Sequence, residues 1–343
     1  MRNCCVMDIR RVDPGDRSAV QAFHEIYRAV GVSDAPETFV TSPIEEIVTV
    51  LAEPTARFEF SAFLGYSDDG PVASGWAAGC LVENADHMFV LPRVLPTERR
   101  HGYGSEMLGR LEVHAQADGR KVLDVQSRWG TEFGPTGENA PTVHFAARHG
   151  FKIGLAEVIR RLDLPLGAEH SAQVSAMVSS RAATYTVQSW IGPVPEEFLD
   201  GWAEMEAAVS RDAPTGELDF DAQAPSPEAV RDDERVLEAS GQTSVHAVAL
   251  DEAGEIVAYT EMVIMINAAQ PARQGGTLVR ASHRGNRLGL AVKSAAIDLL
   301  ERERPDIPAT LTQNAVVNKH MIAINDQLGY RAIEYIGHLQ KRL

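Results

Sequence analysis

Cysteine is scarce in this 343-residue chain: Cys4, Cys5 and Cys80 are the only three, and two of them are adjacent. That excludes a disulfide framework and a spaced zinc or other metal site, and it suits a reducing compartment. Positive charge is also in short supply. Against 48 acidic residues stand 32 lysines and arginines, a formal net charge of −16, and such a field repels phosphate backbones and anionic lipid. Nucleic acid and membrane surfaces are therefore not expected partners. Long apolar runs are missing too: nothing approaches the ~18 uninterrupted apolar residues of a membrane span, and the stretch Met1 to Arg17 lacks the apolar core of an export signal. A cytoplasmic location is the expectation.

What the chain does have is 44% hydrophobic and 23% charged residues, the balance of an ordinary folded protein, over a length that calls for two domains. The first half reads as Pro14–Val30 and Ile44–Leu51 helical, then strand-like runs at Phe58–Tyr66, Val72–Val82 and Met88–Val94. Strand and helix then alternate: Gly102–Ala117 helical, Lys121–Ser127 extended, Ala140–His149 helical and Val158–Leu164 extended. Such an order implies an α/β fold with a mixed sheet covered by helices. Residues 166–183 contain no aromatic side chain and no two-residue period, and read as a linker between a domain at 1–165 and another at 184–343. From Thr184 the order of elements begins again.

The repetition extends to residues. Val94-Leu95-Pro96-Thr97-Glu98-Arg99-Arg100-His101-Gly102-Tyr103-Gly104 is a strand, a turn and a helix start, and so is Val279-Arg280-Ala281-Ser282-His283-Arg284-Gly285-Asn286-Arg287-Leu288-Gly289. Downstream, Asn139 precedes Gly150-Phe151 by eleven residues, as Asn318 precedes Gly329-Tyr330. Gly104 and Gly289 are 185 positions apart and Gly150 and Gly329 are 179 apart, the small difference that loop lengths produce in a duplicated domain. Free N–H groups and the positive dipole end of a helix start suit a pyrophosphate, and glycines let it approach closely.

Arg99-x-x-Gly102-x-Gly104 after Val94-x-Pro96, with Asn139 and Gly150-Phe151 downstream, resembles the acetyl-CoA-binding core of the GNAT superfamily of N-acetyltransferases. Arg284-Gly285-Asn286-Arg287-Leu288-Gly289 with Asn314, Asn318 and Gly329-Tyr330 is similar to the second half of tandem GNAT proteins. The resemblance covers nearly the whole chain and implies two tandem GNAT acyl-CoA N-acyltransferase folds. It implies that Val94 lines the pantetheine arm of acetyl-CoA, that Arg99, His101, Gly102, Tyr103, Gly104 and Ser105 line its pyrophosphate, and that Asn139 lies near the arm. The matching second-half positions are Val279, Arg284, Gly285, Asn286, Arg287, Leu288, Gly289, Leu290 and Asn318. Arg287 departs from the pattern, because it stands where the family has its first glycine; the first half is expected to hold the more reliable cofactor site.

The reaction implied is transfer of the acetyl group of acetyl-CoA directly to the amine of a small molecule, by a monomer or homodimer. An alkylamine of pKa ~10 is mostly protonated at neutral pH, so transfer needs a base. The family's tyrosine acid, seven residues after the motif asparagine, is replaced by Ala146 in one half and Asn325 in the other. Glu261, in the strand-like run Ile256–Ile266, and His87, before the cofactor strand, are the candidate catalytic groups. An outward-facing residue is the plainer reading of Glu261, and a solvent-exposed hairpin end that of His87. Asp212, Glu217, Asp219 and Asp221 cluster where they would attract a cationic acceptor. The missing tyrosines also keep open a non-catalytic acyl-CoA-binding protein, and a protein-lysine acetyltransferase is a third reading.

Overall fold

The computed structural model describes residues 7–343 apart from 40, 42, 180, 183, 213–215, 220, 222 and 223; Cys4 and Cys5 lie outside the described residues. The first half comprises β1 (Asp8–Arg11), α1 (Arg17–Asp34), α2 (Ile44–Ala52), β2 (Phe58–Ser67), β3 (Gly70–Cys80), β4 (His87–Val94), α3 (Tyr103–Ala117), β5 (Val122–Gly130), α4 (Pro141–Arg148) and β6 (Lys152–Asp163). A helix, α5 (Ala168–Ser179), occupies most of the linker. The second half repeats the order with β7 (Thr186–Ile191), α6 (Leu199–Asp212), α7 (Pro227–Ala239), β8 (Gln242–Leu250), β9 (Ile256–Met265), β10 (Ala272–Val279), α8 (Leu288–Glu303), β11 (Ala309–Ala315), α9 (Lys319–Leu328) and β12 (Arg331–Arg342).

Local chemistry sets these elements. Asp16 caps α1 by accepting from the Ser18 and Ala19 amides at 3.0 and 3.1 Å, a cap that contributes about 1 kcal/mol. Val20, Phe23, Ile26 and Val30 then fall on one buried face of that helix, the spacing of an amphipathic helix. Ser226 caps α7 in the same way, with Pro227 preorganising its first turn.

Among the described residues, twelve strands form one sheet in the order β1-β2-β3-β4-β5-β12-β6-β11-β10-β9-β8-β7. Every pairing is antiparallel except β4 with β5 and β10 with β11. The middle of this order shows an exchange. The strand that ends the chain, β12, lies between β5 and β6, while β6 of the first half pairs with β11 of the second. Each exchanged strand packs its apolar side chains into the other half: Leu339 of β12 sits in the core with Phe63, Leu111 and Phe151, and Leu162 of β6 sits with Ile297, Leu300 and Leu328.

Helices cover both faces of the sheet. Arg93 of β4 lies over Tyr27 of α1, whereas its neighbour Val94 approaches Gly104 of α3, so α1 and α3 are on opposite sides. In the second half Tyr259 packs with Trp202 of α6 while Ala258 packs with Ile297 of α8. α2 and α7 touch each other, placing the early helices of both halves on one face. Among the described residues, no helix is long and apolar enough to cross a membrane.

Candidate active site

The two parallel strand pairs create the site by failing to stay paired. β4 and β5 are in register only from His87↔Val122 to Phe89↔Asp124, after which both continue and diverge. β10 and β11 hold only Ala272↔Thr310 and Arg273↔Leu311, and β10 shifts register between Gln274 and Thr277. Each divergence opens a cleft beside peptide groups that the neighbouring strand does not pair. The clefts join in one cavity of about 1300 Å3 that crosses the exchanged strands, touching Leu91 to Val94 and Val125 to Trp129 at one end and Gln274 to Thr277 and Thr312 to Ala315 at the other.

At the first end the cavity reaches the glycine turn. Val94, Arg99, Gly102, Tyr103, Gly104 and Ser105 all line it, together with Arg100 and Arg148. Gly102 ends the turn with φ +98°, a left-handed conformation that glycine adopts without strain, and a Cβ there would meet nothing. The turn leads directly into the start of α3, whose positive dipole end suits an anion. Deeper in, Leu108, Phe145, Ala146 and Phe151 make an apolar wall. Two sequence-predicted members stand apart: the His101 ring is exposed with Nδ1 3.2 Å from the Glu98 carbonyl, and Asn139 is exposed in the turn before α4, outside the cavity wall. Between β5 and α4 the chain folds back on Trp129, whose Nε1 donates to the Gly134 carbonyl at 2.7 Å, before it reaches Asn139.

Arg99 is held by two bonds, Nε to the Val94 carbonyl at 3.3 Å and Nη2 to Asp34 at 2.8 Å. Arg284 repeats both, to the Val279 carbonyl at 3.2 Å and to Asp212 at 2.6 Å. The duplicated turn thus keeps its arginine geometry down to the aspartate at the end of the preceding helix.

The rest of the second turn differs from the first. Arg287, in the left-handed position at φ +57°, turns its guanidinium to the Met177 carbonyl of α5 at 3.2 Å. Asn286 donates to the Tyr185 hydroxyl at 3.2 Å, and that hydroxyl is 3.1 Å from His283 Nδ1. Leu288, Gly289 and Leu290 are buried against the core, and among the described residues no position from 280 to 290, Gly285 included, lines the cavity; nor does Val279. Asn318 does, but its side chain is engaged in capping α9 through the Met321 amide.

The candidate catalytic residues lie elsewhere. His87 is 3% exposed, with Nδ1 2.9 Å from Asp124, at the end where β4 and β5 are still paired. That burial corrects the expected exposed hairpin end; Lys121 and Val122 close over it by bonding to the Asp86 carbonyl. His87 does not line the cavity. Glu261 lies behind the cavity wall, its Oε1 2.6 Å from where a Cβ on Gly275 would be. Burial, then the nearby Glu206 charge, pushes its carboxyl up to about 7. Asp212, Glu217, Asp219 and Asp221 do not gather at the cavity. Asp212 serves Arg284, Asp219 pairs with Arg342, and the Glu217 and Asp221 amides bond Gly154 and Asn84, so this loop is strapped onto the first half.

Several cavity residues carried no motif to betray them. Of the three carboxylates in the wall, Asp34 serves Arg99, Glu98 lies in the turn, and Glu157 stands on β6 between the two clefts. His338 Nε2 is 2.7 Å and Gln313 Nε2 3.1 Å from Glu157 Oε2. These three come from β6, β12 and β11, adjacent only because of the strand exchange. An alternating apolar period could have flagged Glu157 as one polar residue within β6, but not its partners.

Geometry of this kind, a strand, turn and helix start repeated in each half beside a pair of diverging parallel strands, defines the tandem GNAT fold. Solved structures agree. A tandem GNAT protein from the clavulanic acid biosynthesis pathway superposes with a TM-score of 0.77 at 21% identity, over 98% of each chain. A GCN5-related N-acetyltransferase from Sphaerobacter thermophilus gives 0.65 at 15% identity, over 98% of this chain and 95% of the other. A GCN5-related glucosamine N-acetyltransferase region in a fungal multi-domain GH3 β-N-acetylglucosaminidase gives 0.59 at 13% identity, over 97% of this chain and 38% of the other. No protein-family model and no curated protein matches the sequence, so the likeness is one of fold.

Proposed function

We propose that the protein is an acetyl-CoA-dependent N-acetyltransferase of a small amine, with one cofactor site, in the first half. The observation that carries this reading is that the cavity reaches Gly102 to Ser105 at the start of α3 but, among the described residues, no part of the second turn. Residues present fit the co-substrate: Arg99, Arg100 and Arg148 border the mouth where phosphates would lie, and Leu108, Phe145, Ala146 and Phe151 border the apolar cleft suited to a pantetheine arm. Acetyl-CoA supplies the activated acetyl group.

The chain's own residues then have three tasks. The start of α3 and Arg99 hold the phosphates, and the cleft edge of β4, except at Pro92 which has no N–H, provides a backbone donor for a developing oxyanion. Glu157 accepts the proton of the acceptor ammonium, directly or through one water, leaving a nucleophilic nitrogen. His338 and Gln313 fix the carboxylate's orientation. With Ala146 in place of the family's tyrosine, the second nitrogen proton passes to the departing thiolate.

Intact-mass titration under native conditions tests the stoichiometry. One acetyl-CoA per chain, lost in Gly104→Glu, is the expected result; no binding, or binding unchanged by that substitution, would sink the reading. Thiol release across an amine panel then separates catalysis from mere acyl-CoA binding.

A further inference from the structure

We propose that the acceptor is a zwitterion, an amine that also carries a carboxylate, and that Arg93 is the residue that binds that carboxylate. This rests on the acetyl-transfer reading above and names the substrate class of the same cavity. Arg93 and Arg128 stand on the two diverging strands, β4 and β5, and both line the cavity. Arg128 is matched, with Nη2 3.2 Å from Glu334, although its buried Nε has no partner. Arg93 is different: among the described residues it makes no ion pair and no hydrogen bond, and its guanidinium carbon lies 4.4 Å from the centroid of the Tyr27 ring.

A half-buried guanidinium with no acidic partner, in a protein that has 48 acidic residues to offer, is unmatched among the described residues and open to an acidic ligand. Burial lowers its pKa to about 10, the Tyr27 ring and Asp34 oppose that, and Arg128 adds to it. The side chain nevertheless stays charged at neutral pH. The contact with the Tyr27 ring uses none of the guanidinium N–H groups as hydrogen-bond donors to a carboxylate, and Arg93 lines the cavity, so its fork is available to take a carboxylate through two parallel bonds. Tyr27 is itself fixed by Phe39, 5.3 Å away between ring centroids. Other charges facing this space are Asp34, held by Arg99, and Glu334, which also accepts from Thr38 at 2.6 Å.

Arg93 also sits on the acceptor side of the sheet. Val94, one residue on, faces α3 and the pantetheine cleft, so Arg93 faces α1. A carboxylate at Arg93 and an ammonium at Glu157 would give the acceptor one contact of each sign. Such a ligand has no net charge to be repelled by the acidic protein.

Calorimetry on the full-length protein saturated with CoA tests this, using amino acids of graded length, each paired with its amide and its decarboxylated amine. At least one amino acid is expected to bind tenfold or more tightly than its paired amide, with the preference lost in Arg93→Gln and partly kept in Arg93→Lys. Circular dichroism confirms that the variants fold. Equal affinity for every pair, or an unchanged preference in Arg93→Gln, overturns the proposal. A parallel arm compares acetyl-CoA with malonyl-CoA: if Arg93→Gln selectively weakens malonyl-CoA instead, the arginine reads the acyl group and the proposal fails. Binding is read without turnover, so absence of transfer would count against the enzyme reading alone.

Discussion

Lys293 Nζ donates to Asn325 Oδ1 at 2.8 Å, and both side chains are fully buried in the second cleft. The corresponding first-half positions are Leu108 and Ala146. One copy of the cleft is therefore apolar where the other holds an ammonium, and Asn325 passes the polarity on by donating to Asn314 Oδ1 at 3.0 Å. Tyr330 offers a ring 5.2 Å from the nitrogen, but no carboxylate is paired with it among the described residues.

Burial alone lowers the Lys293 pKa to about 7, and this has a pH signature. Below pH 7 both folded and unfolded lysine carry the proton, and the folded state bears the full cost of a buried charge. Between about 7 and the unfolded value of 10.5 only the unfolded chain stays protonated, so that cost fades as pH rises. Lys293→Met should therefore stabilise by ~1–3 kcal/mol at pH 6 and by progressively less toward pH 10. Urea melts at the two pH values check it; a gain that grows with pH would be the wrong sign.

Asymmetry also distinguishes the two glycine turns. Gly104→Glu puts a side chain and a negative charge at the open helix start, and should weaken acetyl-CoA binding by at least a hundredfold. Arg287→Glu, on the second turn, should change it by less than about threefold, since that side chain is exposed and directed to Met177. Isothermal titration of both variants decides; equal losses would mean that both turns bind.

Much of this was readable from the chain. Hydrophobic period, caps and turn glycines located nearly all the elements, and the repeated Arg-x-x-x-x-Gly turn led to the turn proposed to hold acetyl-CoA. Arg287 was visible as a departure, but whether it covers or closes the turn depends on Met177, 110 positions away. The strand exchange was not legible at all. β6 and β12 carry the same alternating pattern whichever neighbour they choose, so nothing local distinguishes Leu339 beside Phe151 from Leu339 beside Leu328. Arg93, Glu157 and His338 stayed hidden for the same reason: each reads as an ordinary polar residue on a strand, and only long-range pairing gathers them.

Glu157 and Glu261 make separable claims on the proton. Glu157→Gln should lower kcat/KM by ~10²–10⁴-fold with acetyl-CoA affinity retained, whereas Glu261→Gln, behind Gly275, should leave kcat/KM within about threefold. Glu261→Gln has a stability effect instead. A carboxyl raised to about 7 costs the folded state its full penalty above pH 7, where both states are ionised, and nothing below about 4.5. The amide should therefore stabilise at pH 8 and not at pH 4. Steady-state kinetics with thermal melts separates the two residues; a large kinetic loss in Glu261→Gln would return the base to the second half.

Exchange of β6 and β12 makes the two halves one cooperative unit. Leu339, 1% exposed, fills the first core from the end of the chain, and Leu162, 5% exposed, fills the second from the end of the first half. Either leucine changed to alanine should cost ~2–5 kcal/mol, and should do so for both halves together, because loosening one of the two central strands strips the other, which pairs with it. Trp129 reports on the first half and Trp202 on the second. Single-tryptophan versions of Leu339→Ala are expected to show coincident urea transitions for the two reporters. Residues 1–183 expressed alone should lack fixed near-ultraviolet circular dichroism, for want of β12 against β5, and should recover it when residues 184–343 are co-expressed. Two well-separated transitions, or a first half that folds by itself, would show that the exchanged strands decorate the halves without joining them.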